Sequence, residues 1–249
     1  MQIDGFIKLT KQRRTIRRFK SDPVPDECIE KILEAARYAQ SGGNAQPWEF
    51  IVVKDSETKK GITRLIAEGH GYNWEIERTR VEELRHPAYR GEGRHGEPTV
   101  TFGDAPVFIV VLGDPRRTQA TVLAAHFNLH EGGPFAHFLK NIGNATQILN
   151  LAAAACGLGT QWVTVSAAIE PRLKMLLDVP WELAIHTIIP VGYPDYTPAP
   201  SYRRELDEIV HYEKYDQARY ASGEEIYDFI LNLRKRTMPS YPFKKSQDK

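Results

Sequence analysis

Cysteine is nearly missing from this chain: its 249 residues include only Cys28 and Cys156. That excludes a disulfide-stapled domain and a cysteine-rich metal centre. Neither thiol has an evident base beside it in sequence, and Cys156 reads as a small buried residue. An excess of either charge is missing too. The 33 basic and 32 acidic residues leave a net charge of +1, so no global field favours nucleic acid or an anionic membrane. Long apolar runs are absent: the longest, 148–159, is interrupted by Asn150 and falls short of the roughly 20 residues that span a bilayer. Met1 to Arg14 lacks the apolar stretch of a secretory signal. No fixed-period repeat or low-complexity tract appears. These absences lead to the expectation of a soluble cytoplasmic protein with neither membrane nor nucleic acid as partner. The length is enough for a substantial core.

What is present reads as alternating helices and a few strands. Pro25, Asp26 and Glu27 open a helical pattern that places Ile29, Ile32, Leu33 and Ala36 on one face. Ser41-Gly42-Gly43 stops it. Residues 48–53 read as a strand, and Asp55-Ser56 starts a helix expected to end near Glu68. Residues 70–104 are rich in Gly, Arg, Glu and His, and so long an irregular stretch is more often a lid than scaffold. Buried strands are expected at 106–112, 161–165 and 183–191, with a long helix over 138–155. Ser222-Gly223-Glu224-Glu225 is a capping box, and its helix puts Ile226, Phe229, Ile230 and Leu233 on one stripe. With Pro194, Pro198 and Pro200 before it, residues 195–249 read as an arm that wraps a partner subunit. The pattern predicts one α+β domain over 1–249 and argues against a doubly wound nucleotide fold.

Several segments stand out chemically, each with an ordinary explanation. Lys8, Lys11, Arg13, Arg14, Arg17, Arg18 and Lys20 form a basic run, which is often a solvated face or a nucleic-acid patch. Thr15, Ile16 and Phe19 interleave with it and point to a pinned segment, and pinned arginines suit phosphate oxygens. Ser41-Gly42-Gly43-Asn44-Ala45-Gln46-Pro47-Trp48 is a turn into a strand. Gly157-Leu158-Gly159-Thr160-Gln161-Trp162 is, on its glycines alone, a helix C-cap. Tyr202-Arg203-Arg204-Glu205-Leu206 follows Gly192-Tyr193-Pro194, and its arginines can pair with Glu205 or Asp207. Gly91-Glu92-Gly93-Arg94-His95-Gly96 spells a dinucleotide fingerprint. No strand precedes it, Pro98 follows where a helix should begin, and Glu92 would repel a pyrophosphate. His126 and His130 have helical ligand spacing with only Glu131 as a weak third ligand, so no metal is expected.

Taken in order, these segments resemble the nitroreductase family, from Arg13 to Leu206. Arg-Arg-Thr-x-Arg-x-Phe followed by Pro-x-Pro matches its N-terminal signature. Ser41 to Trp48 is similar to its Pro-Ser-x-x-Asn-x-Gln-Pro-Trp, with Gln40 where the family usually has Pro. Gly-Leu-Gly-Thr-x-Trp recurs at 157–162. The resemblance implies an α+β fold with a central mixed or antiparallel sheet of four to five strands flanked by helices, in a homodimer with two FMN sites at its interface. It implies that Arg13 meets the FMN phosphate, that Thr15 and Arg17 face the pyrimidine edge, and that Arg14 serves one or the other. Ser41, Gly42 and Asn44 would approach the flavin of the other subunit. Trp162, Val163 and Thr164 would lie along it, offering a donor to N5 or O4. Arg203 or Arg204 would bind phosphate.

The activity so implied is ping-pong transfer of hydride from NADPH or NADH through the flavin to a nitroaromatic, quinone or activated alkene, with no catalytic side chain. Tyr72, Trp74, Tyr89 and Phe102 are candidates for an aromatic lid, although core packing explains them equally well. Alternatives on the same fold are a reductive dehalogenase, whose lid uses a Glu-Tyr-Lys set, and a flavin-consuming enzyme. Residues 70–104 contain no lysine, which weighs against the dehalogenase. A non-catalytic nucleic-acid or partner-binding module is the alternative from another class.

Overall fold

The computed structural model describes residues 2–80, 100–121 and 132–237, with only the backbone of Asn73, Trp74 and 234–237. Tyr89, His126, His130 and the 91–96 glycine pattern lie outside the described residues, as does the Trp74 side chain. The chain divides into two compact units, Met1–Glu75 with Arg94–Pro198, and Ile76–Gly93 with Ala199–Lys249.

The first unit is built on five strands: β1 (Trp48–Val53), β2 (Val107–Gly113), β3 (Gly159–Thr160), β4 (Val163–Thr164) and β5 (Ala184–Gly192). Their order is β1-β2-β5-β3, with β4 also on β5, and every named pair is antiparallel. All seven residues of β2 are buried, as a strand covered on both faces requires. Alternation divides its side chains. Phe108, Val110 and Leu112 join one core with Ile62, Ile66, Leu173 and Ile188. Val107, Ile109 and Val111 join a second core with Ile29, Ile32, Phe138, Ile142, Leu149 and Ile189.

Helices α1 (Ile3–Gln12), α2 (Asp26–Arg37), α3 (Ser56–Arg78), α4 (Pro115–Thr121), α5 (Gly133–Ala155) and α6 (Glu170–Leu177) complete these layers, the last residues of α3 falling in the second unit. α2 buries Ile29, Ile32 and Ala36, the stripe its period predicts. α3 runs ten residues beyond the expected stop at Glu68. Gly69 explains part of this: a Cβ there would stand 3.2 Å from Ile169 Cγ2. Close packing thus outweighs the roughly 1 kcal/mol that glycine costs a helix interior. α5 begins earlier than expected, because Gly132 and Gly133 turn with φ of 91° and 57° and Pro134 stands in its first turn.

The strand expected over 161–165 is instead two short pieces that flank Gln161 and Trp162. Opposite this gap stands Pro190, which has no N–H to give the ladder. A second irregularity inserts His186 as an extra residue of β5 between the partners of Val111 and Leu112.

The second unit carries α7 (Leu206–Ile209) and α8 (Gly223–Thr237). The expected capping box is present: Ser222 Oγ accepts from Glu225 N–H at 3.2 Å, and Glu225 Oε2 accepts from Ser222 N–H at 2.7 Å. Ile226, Phe229 and Ile230 of α8 are exposed, and Phe229 meets Tyr202 at 6.2 Å between ring centroids. Among the described residues no helix is long and apolar enough to cross a membrane.

Candidate functional site

The basic segment lies against the glycine motif. Ile16 N–H donates to the Thr160 carbonyl at 2.9 Å, and Thr15 bridges Thr160. Downstream, Lys20 N–H donates to Tyr193 O at 2.9 Å, Asp195 N–H donates to Arg18 O at 3.2 Å, and Phe19 bridges Pro194. Ile16 and Phe19 are buried while Arg13, Arg14, Thr15 and Arg17 between and before them are half-buried. The segment is therefore pinned by its apolar residues, with its polar ones held near the surface. Arg14 Nη1 donates to the Lys11 and Arg13 carbonyls, and Arg18 lies over the Tyr196 ring at 4.9 Å.

The glycines of the 157–162 motif have separable reasons. Gly157 caps α5 with φ of 74°: its N–H donates to Ala154 O, and Leu158 N–H donates to Ala153 O at 2.9 Å. Gly159 makes room. A Cβ there would sit 2.4 Å from Ile16 Cγ1 and 2.8 Å from Ile16 Cβ, so only glycine lets the basic segment lie on β3. Trp162, 45% exposed, and Thr164, exposed, follow on the same short stretch; Val163 between them is buried.

The Ser41–Trp48 turn is seated on α5. Gly42 N–H donates to Asn141 Oδ1 at 3.2 Å, and Asn144 Nδ2 donates to the Gln40 carbonyl at 3.1 Å, which ties down the position where the family usually has Pro. Ser41 Oγ accepts from Gln46 N–H at 3.0 Å. Gly43, Asn44 and Gln46 all take positive φ. A Cβ on Gly42 would overlap the His137 ring, 2.1 Å from Nε2, so backbone and imidazole meet without an intervening side chain.

Polar atoms here are left over. Asn141, 3% exposed, has no partner for Nδ2; Gln161 Oε1 and Ser166 Oγ are likewise buried without hydrogen bonds. The Trp162 N–H makes no bond among the described residues. An orphaned buried polar group costs about 1–3 kcal/mol, a cost that a polar ligand reaching these atoms would relieve. The residues present therefore fit a flavin mononucleotide: cations for a phosphate, a glycine turn for close approach, and backbone donors at a strand edge.

Other expected residues fall elsewhere. Phe102 is 1% exposed and packs edge-on to Phe108 at 5.7 Å, so it belongs to the core and not to a lid. Tyr72 is 57% exposed on α3. In the second unit Arg204 pairs with Glu208 at 3.7 Å and donates to its carbonyl at 2.6 Å, a partner other than the expected Glu205 or Asp207. Arg203 donates to the Tyr202 carbonyl at 2.7 Å. Asn141, Asn144 and His137, which seat the turn, are functional candidates that the sequence reading missed. Their signal was a polar stretch, His137, Lys140, Asn141 and Asn144, in the first half of a helix whose second half is largely apolar.

Comparison with known proteins bears on the family and the fold. The Nitroreductase family model matches residues 10–193. An iodotyrosine deiodinase from Thermotoga neapolitana is 30% identical over 207 residues, covering 83% of this chain and 97% of that protein. An NADH dehydrogenase from Thermus thermophilus is 31% identical over 202 residues, covering 80% and 91%. A crystal structure of oxidised iodotyrosine deiodinase bound to FMN and 3-iodo-L-tyrosine superposes with a TM-score of 0.63 at 27% identity, over 84% of this chain and 99% of that one. The chain belongs to the nitroreductase family of flavin-dependent oxidoreductases.

Proposed function

We propose that this protein is an FMN-dependent NAD(P)H oxidoreductase that works as a homodimer. When bound, FMN would supply hydride acceptance and release at N5, so that a nicotinamide donor and then a small acceptor (a nitroaromatic, quinone or activated alkene) use one face in turn. The observation that carries this reading is the pairing of Thr15 and Ile16 with Thr160, for which Gly159 makes room.

In this reading Arg13 holds the phosphate, and Arg17 with Thr15 meets the pyrimidine edge, where a cation stabilises charge gained on reduction. Trp162, Val163 and Thr164 line the flavin, with backbone donors. Arg203 or Arg204 is the second phosphate ligand; each makes a bond to exposed neighbouring chain that a phosphate could replace. Ser41, Gly42 and Asn44 serve the flavin of the partner subunit, and Tyr72, exposed on α3, is the lid candidate that the described side chains retain. No side chain acts as nucleophile or general base.

The similarity to iodotyrosine deiodinases favours a second reading, reductive removal of halide from a halogenated aromatic. Its weakness is the missing lid lysine over 70–104. One experiment separates the readings: purified protein is loaded with FMN and mixed anaerobically with NADPH, NADH or dithionite, then with acceptors. Bleaching of the flavin band by a nicotinamide and recolouring by a nitroaromatic or quinone supports the first. Reduction by dithionite alone, with recolouring and iodide release from iodotyrosine, supports the second. Failure to bind FMN would sink both.

A further inference from the structure

β5 is a central strand, with β2 along one edge and β3 and β4 along the other. Proline withholds a ladder donor and is ordinarily confined to edge strands, strand starts and bulges. Pro190 nevertheless sits inside β5, buried.

The pairing shows where the missing donor falls. Gly159–Gly192, Thr160–Val191, Val163–Ile188 and Thr164–Thr187 share one register, so Gln161 stands opposite Pro190 and Trp162 opposite Ile189. Gln161 N–H donates to the Pro190 carbonyl at 3.4 Å, long for such a bond. Facing residues in this phase of an antiparallel ladder exchange both bonds. The return bond, from residue 190 to the Gln161 carbonyl, is the one that proline removes. On the β2 edge Phe108 faces Pro190 in the opposite phase, where no bond is exchanged. The defect is therefore aimed at Gln161 alone.

The same two-residue period turns the backbone groups of Thr160, Trp162 and Thr164 outward, away from β5. Thr160 shows it: its carbonyl accepts from Ile16 N–H. Next along that edge is the Trp162 N–H, which has no partner among the described residues, and Gln161 Oε1 is buried without one. A strand that breaks its own rule beside a ligand site is where a functional constraint is expected.

We propose that Pro190 is a positioning residue for the flavin: by denying Gln161 its return bond, it holds the 161–162 segment off β5 and presents the Trp162 N–H on the edge beside residues 13–16. This rests on the FMN reading above. Pro190→Ala supplies the missing donor, so the segment closes onto β5 and the outward N–H moves.

The test titrates FMN into wild-type apoprotein and into P190A and P190V, with flavin fluorescence for affinity, the visible flavin band for environment, and the melting temperature of each apoprotein. The expected result is a dissociation constant about tenfold weaker and a shifted visible band, with an apoprotein Tm equal to or above wild type because a ladder bond is gained. Unchanged affinity and spectrum in both variants would overturn the proposal. So would loss of affinity in step with a lowered Tm, or failure of both variants to fold, since proline would then be serving the fold. Wild-type protein that binds no FMN would instead overturn the functional reading itself.

Discussion

Two glycine turns, 41–44 and 157–160, look alike in sequence and differ in the folded chain. Gly43 and Gly157 take positive φ, and Gly42, Gly43 and Gly159 sit where a Cβ would collide. They differ in what they touch. Gly159 meets Ile16, an apolar residue of the same core, and the contact is complete within one chain. Gly42 meets an imidazole and a half-satisfied asparagine, with exposed Asn44 beyond. The 157–160 turn is itself filled by Ile16, whereas the 41–44 turn rests on an asparagine whose amide donor stays open. A site shared between subunits would have this asymmetry, because the half belonging to the partner's ligand cannot satisfy itself within one chain.

The largest effect in breaking that comparison should come from Gly159→Ala. Overpacking against Ile16 predicts about 1–3 kcal/mol of destabilisation, and flavin affinity should fall with it because the basic segment moves. Urea unfolding of the apoprotein measures this; a loss below about 0.5 kcal/mol would contradict the steric account. Gly157→Ala should be milder. Nothing lies within 4 Å of a Cβ there, so only the positive φ of 74° penalises it. The expected cost is about 1–2 kcal/mol, with affinity for FMN nearly unchanged.

The smallest effect concerns pH. Burial pushes the imidazoles of His70 and His186 below their ordinary value, the latter against an opposing pull from Glu170. In the unfolded chain both take up protons near 6.5, so the unfolded state binds more protons below that pH and stability falls as pH drops. Above it both states are neutral and the contribution is flat. His186→Gln should shallow the slope of stability against pH between pH 6.5 and the lowered folded value, as read from melting curves. An unchanged slope would show that His186 does not carry it.

Much of this was legible in sequence because the signals were local. The stripe of Ile29, Ile32 and Ala36, the continuous apolar run of β2, and the capping box at Ser222 each follow from neighbours along the chain. What was not legible depended on distant partners. The extension of α3 past Glu68 rests on Ile169 packing against Gly69, and the break at 161–162 on a proline twenty-nine residues away in β5. Phe102 reads equally as lid or core until its contact with Phe108 is seen. The site motifs were readable as types, but the role of Gly159 required knowing that Ile16 lies on it.

The proposed function requires that the segment pinned at Ile16 present Arg17 to a flavin. Its most direct measurement is the FMN dissociation constant of wild type against Arg17→Ala, by quenching of flavin fluorescence, with the apoprotein Tm recorded for both. The account predicts tight binding by wild type and at least about tenfold weaker binding by the variant, at similar Tm. Equal affinity in the two proteins would contradict it.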